Sequence, residues 1–254
     1  MIKYFLDAFL LIFLLELGAA VSGTYYLHKV GEAKKGEQLM VVYLWLVIFI
    51  EIVGLYPVLN YFTNFQAFPF VEGTLFERNY WWYNSYSLVK FLVILYYFIW
   101  QIRSRITREI FSVLAILFTF GGVLNLLFSG VFFKGNAAFS SIGGTLLLVI
   151  LIFLYYFETL KSSRILNFYR IPAFYFSVGI LIWHLTVTPL FIYSHYFSLK
   201  SPEFVELHTI ILRMANVILY SSFILGWLTC TRFKTIKDDN AMQVHEKQKS
   251  VLQQ

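Results

Sequence analysis

Glu, Lys, Arg and His ordinarily stay at protein surfaces. In this chain Glu16, Glu51, Lys90, His184 and Arg213 are embedded in long apolar runs. An unpaired arginine at the centre of a membrane helix costs roughly 2.5 to 3.5 kcal/mol on insertion scales, so such groups turn towards protein or a polar cavity. Arg213 belongs to a stripe: Thr209, Arg213, Asn216 and Tyr220 recur at i, i+4, i+7 and i+11 and share one helix face. A second stripe holds Ser177, His184, Thr188 and His195, with Trp183 beside the imidazole and Pro189 beyond it. Glu16 precedes Ala19, Ala20 and Gly23, small residues that admit a close neighbouring helix. Glu51 is followed by Gly54 and Pro57, and a proline there frees a backbone carbonyl and kinks the helix. Tyr83, Ser87 and Lys90 share one face, and Gly121, Gly122, Asn125 and Ser129 make a stripe of small and polar residues.

Taken together, Glu16, Glu51, Lys90, Asn125, His184, Arg213, Asn216 and Tyr220 form a candidate polar centre, a ligand site or ion pathway. Its two acids and two bases balance, and Arg213 is expected to pair with Glu16 or Glu51. The structural alternative is that these groups only hold helices in register by ion pairs and hydrogen bonds. With one deeply placed imidazole and no His-x-x-x-His spacing, no metal and no cofactor are expected. The chain carries no nucleophile, Walker, kinase or dinucleotide fingerprint, so no enzymatic activity is expected. An opsin-like pigment would need a lysine in the last run, and 207–230 has none.

The elements that must carry these groups follow from composition. Hydrophobic residues make up 59% and charged residues 13% of the 254, and the mean hydropathy is +0.69. Soluble domains carry about 25% charged residues. The expected class is therefore an all-α polytopic membrane protein, with the lipid bilayer as its first partner. A net charge of +6 does not point to nucleic acid, because the basic residues sit in short loops. Apolar runs at 4–27, 39–62, 82–102, 110–133, 140–160, 172–197 and 207–230 are each long enough to cross a hydrocarbon core of about 30 Å. They predict a seven-transmembrane-helix bundle over 1–230 and a short polar cytoplasmic tail at 231–254. The run at 140–160, nearly featureless between Leu146 and Phe157, is expected to be the most lipid-exposed.

Orientation follows from charge. Lys29, Lys34, Lys35, Arg103, Arg105, Arg108, Lys161, Arg164, Arg170, Arg232, Lys234 and Lys237 all fall on one side, against Lys3, Arg78, Lys134 and Lys200 on the other. The positive-inside rule then gives an outside N-terminus and a cytoplasmic C-terminus in the plasma membrane. Lys3 and Gly18-Ala19-Ala20 imitate a cleaved signal peptide, but Asp7 and Glu16 interrupt its apolar core, so the first run is expected to stay. The outside loop 63–81, with Phe65, Phe68, Phe70, Phe76, Tyr80 and Trp81, is expected to be ordered surface in an aromatic belt at the membrane interface. An interfacial flap across the bundle mouth is the alternative.

Two function classes fit. The first is a receptor-like or sensory module that binds a small-molecule ligand and, having no soluble output domain, acts through a cytoplasmic or membrane protein partner. The second is a small solute or proton-coupled transporter or channel, with a structural subunit of a membrane complex as the bland version of both. An odd number of spans and the lack of an internal repeat favour the first.

Overall fold

A backbone surrounded by lipid must satisfy its own hydrogen bonds, and these apolar runs do so as helices. The computed structural model describes the backbone of residues 2–194 and 202–252, and the side chains of 9–162, 165–192 and 205–234. His195 and Lys200 lie outside the described residues, as do the side chains of Lys3, Asp7, Arg164 and Lys237. The helices are α1 (Ile2–Val30), α2 (Lys35–Gly54), α3 (Tyr56–Phe62), α4 (Tyr80–Ile99), α5 (Arg105–Phe128), α6 (Ala138–Leu160), α7 (Pro172–Ser194) and α8 (Pro202–Leu252). Short 3-10 turns occur at Pro69–Val71 and Ser163–Arg170, and no strand is present among the described residues. Of the seven spans expected, six are long and apolar enough to cross a membrane, with α2 and α3 counted as one. α4 falls short of that apolarity, because its first half carries Asn84, Ser85, Ser87 and Lys90 among Tyr and Trp.

Local chemistry sets the helix ends. Gly31 (φ +68) follows α1 and Gly130 (φ +70) follows α5, left-handed positions that favour glycine. The carboxylate of Glu37 accepts the Lys34 amide at 3.0 Å and starts α2. Glu158, near the end of α6, accepts the amides of Arg103 and Ser104 at 2.6 and 3.2 Å and so ties down the turn between α4 and α5. The proline break expected after Glu51 occurs at Leu55, where α2 stops and α3 begins with Pro57 in its first turn. Side chains from α4 use the exposed carbonyls: Asn79 donates to Gly54 at 2.7 Å and the Trp82 indole donates to Ile50 at 2.9 Å.

α1, α2, α4, α6, α7 and α8 pack as a closed ring, each against its two neighbours in that order. α5 lies outside the ring on α4 and α6. The fifth run is therefore not the lipid-exposed one: α6 contributes Leu148, Leu151 and Ile152, all fully buried, while α5 is the outlying helix. One end of the bundle carries segments 63–79 and 129–137 and is rich in aromatic residues. The opposite end carries the basic loops 31–34, 100–104 and 161–171. The core fills the half towards the basic end, where Tyr97, Phe98, Phe176, Phe223 and Trp227 are buried in edge-to-face and tilted contacts. Large apolar side chains such as Leu14, Phe49, Phe120, Leu127 and Phe153 point outward, a surface suited to lipid.

Close helix approach depends on two glycines. A Cβ at Gly23 would stand 2.8 Å from Val41 and 2.9 Å from the Trp227 indole, which agrees with the small-residue stripe on α1. A Cβ at Gly144 would stand 2.6 Å from the Phe91 ring, whereas at Gly135 it would meet nothing. Gly144→Ala is expected to destabilise the protein by about 1 to 3 kcal/mol and Gly135→Ala by less than about 0.5 kcal/mol, read as melting temperature and denaturant midpoint in detergent.

Candidate functional site

The ring encloses a cavity of about 470 Å³ in the half towards the aromatic end. Every ring helix contributes to it and α5 does not: Glu16 comes from α1, Glu51 from α2, Lys90 from α4, Ser141 from α6, His184 from α7 and Asn216 from α8. The expected residues Glu16, Glu51, Lys90, His184, Asn216 and Tyr220 are thus brought together. Asn125 is not, because α5 is peripheral; its carbonyl accepts the Ser129 amide and hydroxyl. Arg213 is half-buried on α8 and does not line the cavity, although its stripe partners Asn216 and Tyr220 do. Thr209 is exposed and its hydroxyl donates to the Val205 carbonyl at 2.8 Å.

The expected charge pairing is not what holds the centre. Among the described residues the one ion pair is the exposed Arg105–Glu109 bridge of 2.7 Å, and neither acid pairs with Arg213. Phenols line the cavity around the carboxylates instead. Tyr83 donates to Glu51 at 3.0 Å, and Tyr220 lines the same cavity as Glu16. Glu16 and Glu51 are near enough for their charges to interact. Beside them Tyr43 and Tyr86 share a hydroxyl–hydroxyl bond of 3.0 Å with rings stacked at 6.5 Å. A phenol O–H satisfies a carboxylate without bringing in a second charge.

Lys90 is held differently. Its Nζ lies 4.6 Å from the Trp183 ring centroid and 4.9 Å from that of Phe91, cation–π contacts worth up to about 2 kcal/mol each where water is excluded. Asn216 fixes the indole by accepting the Trp183 N–H at 2.7 Å. His184 is 3% exposed; its Nδ1 bonds the Thr145 hydroxyl at 2.9 Å, which in turn reaches Thr188 at 2.9 Å. Thr145 is buried and does not line the cavity. His184 stands with Lys90 rather than with the acids, and among the described residues no three His, Cys, Asp or Glu gather as a metal-binding group.

The cavity has a closed floor. Ile94, Ile180 and Phe223 form its deepest lining, and behind them Tyr97, Phe176 and Trp227 are fully buried. Its rim is fixed by Asn84, which is 4% exposed and donates to the carbonyls of Phe132 and Gly135 at 3.1 and 2.8 Å while accepting the Ala137 amide at 3.1 Å. The aromatic segment does not form a flap over the mouth, the alternative that its composition offered. Only Asn79 and Tyr80 of it reach the cavity, whereas Phe68, Phe70 and Phe76 pack beside α3, where buried Asn60 exchanges hydrogen bonds with the Phe68 backbone. Sequence reasoning missed Tyr43, Tyr86 and Thr145, whose residue types read as ordinary core. A signal existed only for the tyrosines, as phenols at mid-run in α2 and α4. No protein-family model, no curated protein and no solved structure matches the chain.

Two variants separate these roles. Asn84→Ala removes the partner of the buried Ala137 amide and of the part-buried Phe132 and Gly135 carbonyls and is expected to cost about 1 to 3 kcal/mol of stability. Tyr83→Phe removes one hydrogen bond to Glu51 and is expected to cost about 1 kcal/mol while leaving the fold intact, as checked by circular dichroism and melting in detergent.

Proposed function

We propose that this protein is a receptor-like seven-span membrane protein that binds a small polar ligand in the central cavity and acts through a separate protein partner. The observation that carries the reading is the cavity itself: mainly apolar walls into which a few polar groups converge, Glu16, Glu51, Lys90 and Asn216 among them, with packed aromatic residues on the side towards the basic end. A pathway through the bundle would need polar groups in both halves. The volume suits a small metabolite, since ligand pockets run from about 300 to 1,000 Å³. The reading is of a binding protein and not an enzyme, because the hydroxyl bonded to His184 is buried away from the cavity.

In this proposal α4 is the seventh span. Its 20 residues are about 30 Å long, the thickness of the hydrocarbon core, and Ser87 and Lys90 face the cavity rather than lipid. Seven crossings separate the termini. The positive-inside rule then puts the basic end, with Lys34, Arg103, Arg105, Lys161 and Arg170, in the cytoplasm of a plasma membrane, and the cavity opens outward. Output passes through the basic loops 100–104 and 161–171 to a cytoplasmic or membrane partner.

A transporter is the second reading. The break at Leu55 and the proline inside α7, Pro189, both flank the cavity and are the features that favour it, since interrupted helices border many transport sites. Liposomes containing the purified protein decide between them. The receptor reading expects small solutes to raise the melting temperature while solute and proton flux stays at the protein-free level. Flux that is abolished by Glu51→Gln would overturn it in favour of transport.

A further inference from the structure

The cavity keeps its opposite charges apart. Glu16 and Glu51 sit together among Tyr43, Tyr83 and Tyr220, and no cation among the described residues neutralises them. Lys90 sits over Trp183 and Phe91 beside His184, and its ammonium has no hydrogen-bond acceptor among the described residues. Tyr83 and Lys90 are seven residues apart on α4, two turns or about 10 Å along its axis, and both line the same cavity. The Lys90 ammonium stands over an indole that Asn216 holds in place.

Charges removed from bulk water and left without counter-charges are costly, and a ligand that supplies them gains affinity from both ends. An ammonium group fits the acidic end, where Glu16 and Glu51 line the cavity with Tyr43, Tyr83 and Tyr220 and can accept its hydrogen bonds. A carboxylate fits the other end, where Lys90 supplies the charge and His184 Nε2, whose ring is held through Nδ1, faces no protein partner among the described residues. A simple cation would leave Lys90 uncompensated. A simple anion would be repelled by the acid pair. Ile94, Ile180 and Phe223 at the floor beneath the poles offer an apolar surface against which a hydrocarbon spacer can rest.

We infer that the ligand is a small zwitterion of the amino-acid class, its ammonium bound by Glu16 and Glu51 and its carboxylate by Lys90. The inference rests on the reading of the cavity as a ligand site. The probes are glycine, γ-aminobutyrate and ε-aminocaproate, each compared with the alkylamine and the alkyl carboxylate of the same chain length. They are measured by melting temperature and by equilibrium binding to the full-length protein in nanodiscs. At least one zwitterion is expected to bind about tenfold or more tightly than both of its single-charge counterparts. Lys90→Met is expected to reduce that zwitterion to the affinity of the amine, and Glu51→Gln to reduce it to that of the carboxylate. If an amine or a carboxylate binds as tightly as its zwitterion, or if Lys90→Met leaves zwitterion affinity unchanged, the assignment is overturned while the ligand site stands. If no probe of any class binds and uncharged polar solutes of similar size also fail, the ligand-site reading falls with it.

Discussion

Everything in this bundle follows from the cost of placing ionisable groups where water is scarce. An acid or a base in an apolar ring needs a partner, and the partner chosen decides what the site can do. Had Glu16 and Glu51 closed on a lysine or arginine, the centre would be a structural clamp. Glu51 is met by the phenol of Tyr83, Glu16 shares the cavity wall with Tyr43 and Tyr220, and Lys90 is met by the faces of Trp183 and Phe91. Phenols and aromatic faces stabilise charge without cancelling it. The cavity thus retains two poles that remain available to an occupant.

The scaffold around that centre is built to hold it still. α4 does most of this: Tyr83 and Lys90 come from its cavity face, Asn79 and Trp82 cap the broken end of α2, and Asn84 anchors the segment before α6. This explains why α4 falls short of the apolarity of the other spans and yet sits in the ring while α5 stays outside. Rigid floor residues beyond Ile94 and Phe223 make the site a pocket with one open end. Binding energy in such a site is available to shift helices at the rim, and the break at Leu55 and the proline in α7 are where the outer halves can bend.

Much of this architecture was legible from residues alone. The apolar runs located the helices to within a few residues except at the C-terminal side of the last run, where α8 continues through the polar tail to Leu252; Pro57 announced the break, and Ala19, Ala20 and Gly23 announced a close contact. Six of the eight candidate site residues line one cavity because helical spacing reports reliably which side chains share a face. Spacing does not report which helices are neighbours. For that reason Asn125, on a credible polar stripe, ended on the outlying helix, and Arg213 stands on the right helix but off the cavity. The same blindness hid Tyr43 and Tyr86 and the pairing of Tyr83 with Glu51, since a tyrosine in an apolar run reads as packing until its hydroxyl is seen to find a partner.

The central claim is a pocket reached from one side of the membrane. Its most direct test is the labelling of cavity cysteines in a Cys230→Ser background, with Ser87→Cys and Ser141→Cys placed in the wall and a membrane-impermeant thiol reagent applied to one face at a time. The account expects both positions to react from the outside only. Reaction from the cytoplasmic face would contradict a closed floor and require a path through the bundle.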